Sequence, residues 1–546
     1  MRHHSAPPPA PSRALTIEPW SGEPSCAADR LSEAAGFAWL DSALAMPRIG
    51  RWSVLVCEPR WRLVAHGRSI ERHEAGGAVR RWDGDPFTAL SAAIEAEPRV
   101  DVPRLDAADP GMQGTEALPF VGGAVGYLGF ELARHVERLP ATTRDDVGAP
   151  DLSIAWYDAA LVWDGVRRCG WLVGTTRAVR ALRARLDAPP LPAAFPPAAA
   201  AGSRGAAMQR GKGGVGDSAA LPSLRSNFER EEYLAAVARA RRYIAAGDIY
   251  QVNLSQRFSV RTSTPSFELY RRLREVSPAP FAAYLDLGLD TDRGAGAMTL
   301  LSSSPERLLL LDGNELETRP IKGTRPRGAS GVEDARLAAA LRRSEKDAAE
   351  HVMIVDLERN DLGRIAEVGS VRVPEFAALE SFAQVHHLTS TVTARRRAGV
   401  GLEATLRAIF PGGSVTGAPK VRALEIIDEL EPTVRGAYTG AIGYISAHGR
   451  IDLNVAIRTI TLVGDPAGRS ACAEAHFHAG AEAHFHVGGA IVADSDPAAE
   501  YRETLDKARG MARALGVLLP DEAPSIVTPP LAAGVAAPPA AGIAAG

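Results

Sequence analysis

Three stretches of this chain have compositions that cannot bury a core, and their positions decide how the rest can fold. Residues 1–13 and 518–546 are rich in Ala, Pro and Gly without helical or strand periodicity, and they read as disordered tails. Residues 188–222 are Pro/Ala-rich and then Gly-rich, and read as a linker or long surface insertion. Ordered structure is thereby confined to segments 14–187 and 223–517. In the first, short β-like runs such as Trp52-Ser53-Val54-Leu55-Val56 and Leu161-Val162-Trp163 alternate with turns. Its glycine-dense run Phe120 to Phe130 lacks the spacing of a dinucleotide fingerprint and is read as a place of close backbone packing. In the second, Phe228, Tyr233, Val237, Ala240 and Ile244 form a helical apolar stripe ended by Gly247, and a strand-like run, Ile249 to Val260, follows. Helices and strands mixed without regular alternation point to an α/β chain of the α+β or sandwich type, not a doubly wound sheet.

Bulk properties exclude several classes of function. A content of 46% hydrophobic and 23% charged residues is that of a soluble globular protein. A net charge of −3 argues against a nucleic-acid partner, which needs a clustered basic excess. No apolar run approaches the ~18 residues of a membrane span. Cys26, Cys57, Cys169 and Cys472 are scattered, without metal or redox spacing, which favours a reducing compartment. No basic region followed by an apolar core marks a secretory signal, so a cytoplasmic location is expected.

Four features carry chemistry. Lys322 lies in Arg319-Pro320-Ile321-Lys322-Gly323-Thr324-Arg325-Pro326-Arg327, between two prolines and among three arginines. Crowding by like charge lowers a lysine pKa and yields a neutral nucleophile; a basic surface turn is the other reading. Asp347 and Glu350 are spaced i,i+3 on one helical pattern, and Glu500 and Glu503 repeat that spacing on another, with Lys507 one turn on. If the two faces meet, four oxygen donors converge and suit Mg²⁺ better than zinc; solvated helix faces are the alternative. The run Phe410-Pro411-Gly412-Gly413-Ser414-Val415-Thr416-Gly417-Ala418-Pro419-Lys420 leads into a helix with Pro419 at its first position, and is either an anion-receiving loop or a structural turn. Finally, residues 473–480 and 481–488 are near-identical octapeptides, each with two histidines. Without a partnering cysteine, a slippage duplication is preferred to a zinc site.

These segments, in this order, resemble the chorismate-utilising enzymes. The likeness rests on Gly247 to Gln256, Ser304-Pro305-Glu306, the Lys322 run, Glu350 to Asp361, Gly413 to Lys420 and Gly488 to Lys507, and extends to Trp39-Leu40-Asp41-Ser42 and the 120–130 glycine run. It implies an anthranilate synthase component I-like fold, with two packed, largely antiparallel sheets flanked by helices. Segment 14–187 would complete that body and hold an effector-type pocket, and 223–517 would bind chorismate. The resemblance implies Mg²⁺ held by Glu350 and Glu503, with Asp347 and Glu500 in support through water. It implies substrate contacts from Arg458, Tyr438, Thr324, Lys507, Gln251 and the backbone of Gly488 and Gly489, and a proton-handling or charge-stabilising role for His387.

Two positions discriminate within the family. Isochorismate and salicylate synthases carry a water-activating lysine where Gln251 stands, and glutamine cannot act as a base. Anthranilate synthases usually have alanine at the Lys322 position, whereas the aminodeoxychorismate synthase branch has lysine, and this chain resembles that branch. The implied chemistry has Glu306 protonate the departing hydroxyl while Lys322 attacks the ring, after which ammonia displaces the lysine. The product would be 4-amino-4-deoxychorismate, on the way to 4-aminobenzoate and folate. No cysteine lies in a glutaminase setting, so a separate glutamine amidotransferase subunit is the expected source of ammonia. Ala490 replaces the third glycine of a run common in relatives, and Asp347 the glutamate common in anthranilate synthases, for which component I of tryptophan biosynthesis is the rival assignment.

Overall fold

Along the strand Trp52–Val56, Val54 and Val56 enter one apolar cluster and Leu55 another. Side chains alternate across a strand, so this strand is covered on both faces. The same holds across much of the protein. The computed structural model describes residues 15–46, 48–100, 117–188, 224–288, 297–381, 385–464 and 480–521. Nearly all of the expected tails and linker, and all of the first octapeptide but Gly480, lie outside the described residues.

Among the described residues there are two sheets of 12 strands. Their pairs are antiparallel, as the two-sheet expectation required. Each sheet draws on both chain segments. In the first, Ala38–Asp41 pairs with Phe281–Asp286, and in the second Gly123–Leu128 pairs with Ala441–Ser446. The inter-sheet core contains Val56, Val162, Leu285 and Leu300 from one sheet and Val64, Val125, Tyr127 and Ile442 from the other. On the outer face of the first sheet, Phe258, Phe485 and Leu301 pack against residues of helices Ser266–Val276 and Pro497–Leu515. On the outer face of the second, Leu309, Leu316 and Val392 pack with residues of helices Glu345–Gly363 and Leu402–Ile409. The order of layers is helix, sheet, sheet, helix.

Local signals are met where they can be checked. Helix Arg230–Ala246 starts at a reciprocal Glu229/Glu232 capping box and stops at Gly247, whose φ of 84° lies in the left-handed region. The glycine run does permit close approach: a Cβ at Gly126 would lie 2.1 Å from the Ser153 carbonyl oxygen, and one at its register partner Gly443 2.0 Å from that of Asp452. One local expectation shifts by a residue. Helix Lys420–Leu430 has Pro419 as its cap in extended backbone, not as its first helical residue, because Gly417–Ala418 has already paired with Gln251–Val252 as a short strand.

Candidate active site

The strand Ile321–Pro326 pairs with Val385–Arg395, and its register slips between Lys322 and Thr324. The slip falls at Gly323, with φ of 80°, a backbone that other residues adopt only with strain. Such a bulge re-aims the residue beside it, here Lys322. The lysine is half-buried and its pKa is lowered, chiefly by burial; the Lys507 ammonium adds to the effect, and the Glu350, Glu306 and Glu503 carboxylates oppose it. The expected cause was therefore wrong. The neighbouring arginines are spent elsewhere: Arg319 on Glu375 and Glu380, Arg325 on Asp347, and Arg327 on Asp334.

Glu306 stands beside this lysine at the turn after strand Met298–Ser304 and is only 4% exposed. Its carboxyl receives hydrogen bonds from the Ser414 hydroxyl and the Ile321 N–H, yet burial outweighs them and pushes its pKa up to about 7. A carboxyl poised there holds a proton at neutral pH and can give it up. Arg458, near enough to Glu306 for their charges to interact, has its own pKa lowered by burial and adopts φ of 50°. A non-glycine residue in that region costs about 1–3 kcal/mol, which surrounding structure must offset. His387 is 2% exposed, shares a 2.8 Å hydrogen bond with Thr324 through Nδ1, and has its pKa pushed down to about 3 by burial and by Arg458. It is therefore neutral near pH 7. Gln251 is fully buried, and among the described residues neither polar atom of its amide has a hydrogen-bond partner. An unpaired buried amide is costly unless something completes it.

The two carboxylate pairs do fall on two helices. Helix Glu345–Gly363 is capped by Ser344, whose hydroxyl accepts from Asp347 N, and packs against strands Ile321–Pro326 and Val385–Arg395. Helix Pro497–Leu515 is capped by Asp496 and packs on strand Ala481–Ile491. A Cβ at Gly489 would lie 3.2 Å from Glu500 Oε2 and 3.5 Å from Glu503 Oε1, so glycine there leaves room for both carboxylates. Burial raises the pKa of Glu350 and of Glu500, with the Glu503 charge contributing to each. Mutual repulsion of oxygen-only donors fits a hard divalent cation. As oriented here, among the described residues no three acidic, histidine or cysteine side chains form a metal-sized cluster. Asp347 instead accepts from Arg325 at 2.7 Å, and Glu503 pairs with Lys507 at 2.7 Å. Lys507 also donates to the Gly488 carbonyl at 2.8 Å.

Other expected residues sit differently. Tyr438 stacks on His486, with ring centroids 5.2 Å apart, and lines a cavity of about 330 Å³ with Arg257, Arg435 and His484. His484 and His486, two residues apart on the strand Ala481–Ile491, share one of its faces, and burial lowers both pKa values. Ala490 pairs regularly with Asn253, so its methyl is accommodated in the strand. A second cavity of about 560 Å³, lined by Asp41, Ser42, Trp52, Arg307, Tyr444 and Asn454, lies between the chain segments. The Gly412–Lys420 loop receives carboxyl groups of the protein itself: Ser414 N donates to Glu358 Oε1 at 3.3 Å, and Lys420 Nζ donates to Asp361 Oδ2 at 2.6 Å. Glu358 and Asp361 were not singled out in the sequence, although both fall within a run that carries the family likeness. Burial raises both pKa values; the Asp361 and Glu306 charges add to the effect at Glu358, and Lys420 opposes it at both.

A sequence profile of the family described as chorismate binding enzyme matches residues 62–513. The chain is 39% identical over 503 residues to aminodeoxychorismate synthase component 1 of Klebsiella aerogenes, covering 91% of this chain and 97% of that one. It is 41% identical over 446 residues to anthranilate synthase component 1 of Streptomyces coelicolor, covering 79% and 78%. Its fold is similar to the crystal structure of anthranilate synthase component I from Streptococcus pneumoniae, with a TM-score of 0.65, 29% identity and coverage of 86% and 93%.

Proposed function

The chain belongs to the chorismate-binding enzyme family, and from that premise we propose that it aminates chorismate to 4-amino-4-deoxychorismate. The observation that carries this reading is the pairing of Lys322, an amine whose charge burial disfavours, with Glu306, a buried carboxyl that keeps its proton to about pH 7. The Lys322 Nζ forms a bond to the ring as the C4–oxygen bond breaks, and the hydroxyl leaves as water with the proton of Glu306. Ammonia then forms the C4–nitrogen bond and expels Lys322 as the free amine, and the proton shed by the new ammonium returns to Glu306. Nucleophilic catalysis of this kind divides one difficult substitution into two. Gln251, unable to act as a base, offers its unpaired amide to the substrate and leaves water unactivated.

Glu350 and Glu503 would hold Mg²⁺, supported through water by Asp347 and Glu500. Bound there, the ion would supply positive charge to the ring carboxylate. Arg458 provides a planar fork for a carboxylate, and the neutral His387 imidazole can pass or accept a proton near the ring. Ammonia would come from a separate glutamine amidotransferase subunit, a reading supported by the "component 1" names of the relatives. The likeness to an anthranilate synthase component 1 favours, as the second reading, the same site with pyruvate elimination.

Incubation with chorismate, Mg²⁺ and ammonium, followed by mass spectrometry, should give 4-amino-4-deoxychorismate. Anthranilate as the main product would overturn the assignment. Lys322→Ala should abolish any ring adduct trapped on the protein, and persistence of that adduct would remove Lys322 from its role as nucleophile.

A further inference from the structure

One side chain between the two carboxylate helices has no part in the chemistry above. Lys346 lies one turn before Glu350, and its Nζ is 3.9 Å from Glu350 Oε1 and 3.8 Å from Glu500 Oε1. The two carboxylates belong to different helices, so one ammonium spans the seam between them. Lys507 and Lys420 are held more closely. Lys507 has Glu503 and the Gly488 carbonyl at hydrogen-bond distance, and Lys420 has Asp361 and the Pro411 carbonyl. Among the described residues Lys346 has two ion pairs, both long, and its side chain is 52% exposed. Its four-carbon stem can carry the charge into water with little rearrangement.

We propose that Lys346 is an intramolecular competitor for the divalent cation, bridging Glu350 and Glu500 in the metal-free protein and leaving for solvent when the metal binds. The inference rests on the metal reading given above. Glu350 is a ligand of the metal as well as a partner of Lys346, and Glu500 would support the metal through water. Two cations against this pair repel strongly, so the ion binds only by displacing the ammonium. The lysine thereby neutralises the carboxylates when metal is absent and sets the affinity below what they alone would give. Glu350 and Glu500 are thus arranged around an ammonium, not around an ion that bonds to oxygen directly.

The test is direct binding of Mg²⁺ by calorimetry, and of Mn²⁺ by electron paramagnetic resonance, to the full chain without substrate. Lys346→Gln should bind either ion about tenfold more tightly than wild type. Its metal-free form should melt at a lower temperature, and Lys346→Arg should bind like wild type. Unchanged or weaker binding by Lys346→Gln, or equal tightening by Lys346→Arg, would overturn the competitor role while leaving the metal site standing. If wild type binds neither ion, or Glu350→Gln binds as wild type does, the metal reading itself fails and the competitor role falls with it.

Discussion

Burial is the first cause of both perturbed groups at the site: it pushes the Glu306 carboxyl up to about 7 and lowers the Lys322 ammonium from its ordinary value. The working form of Glu306 is the protonated one, so turnover should fall as pH rises through about 7. Glu306→Gln should lower the rate by roughly 10²–10⁴ and remove that alkaline limb from what remains. A surviving limb at the same pH would assign it to another group. At this scale the sequence was partly legible. Lys322 stood out through its unusual run, but the reason offered, arginine crowding, was not the one that operates. Sequence adjacency says nothing about where a guanidinium points, and these three point at Glu375, Glu380, Asp347 and Asp334. The carboxylates behind Glu306 were silent for a related reason. Glu306, Ser414 and Glu358 come from three distant parts of the chain and meet only when the sheets and helices pack.

Elements were more legible than contacts, because periodicity is local. The helices bearing Asp347/Glu350 and Glu500/Glu503 fall where the spacing put them, and the strand after Gly247 begins within two residues of its expected start. The octapeptide repeat is the exception, since two near-identical copies cannot be told apart by pattern. The second copy forms the strand Ala481–Ile491, wedged between Gln251–Thr262 and Thr459–Val463. It continues directly into Gly489, which the first copy does not. Deleting residues 473–480 should therefore leave the melting temperature and activity close to wild type. Deleting 481–488 instead puts Ala479 where Val487 packs, since the copies differ only there. That exchange should cost about 2 kcal/mol, measurable by denaturant unfolding. Equal stability of the two deletions would show that the Val487 position is not in the core.

For the molecule as a whole, the two-sheet sandwich was legible through family likeness more than through pattern. Strands covered on both faces lose the apolar/polar alternation that marks a half-buried strand, so the pairing order could not be read from periodicity. Residues 224–546 expressed alone would expose the edges of Phe281–Asp286 and Ala441–Ser446 that Ala38–Asp41 and Gly123–Leu128 now cover. That fragment should aggregate, as judged by size-exclusion chromatography. A soluble monomer with a cooperative melt would contradict the shared-sheet account. The same shared sheets mean that the peptide bonds between the segments need not survive for the body to close. A gene severed within codons 189–223 would encode two polypeptides that complement each other, and the rate at which activity appears would scale with the product of their concentrations.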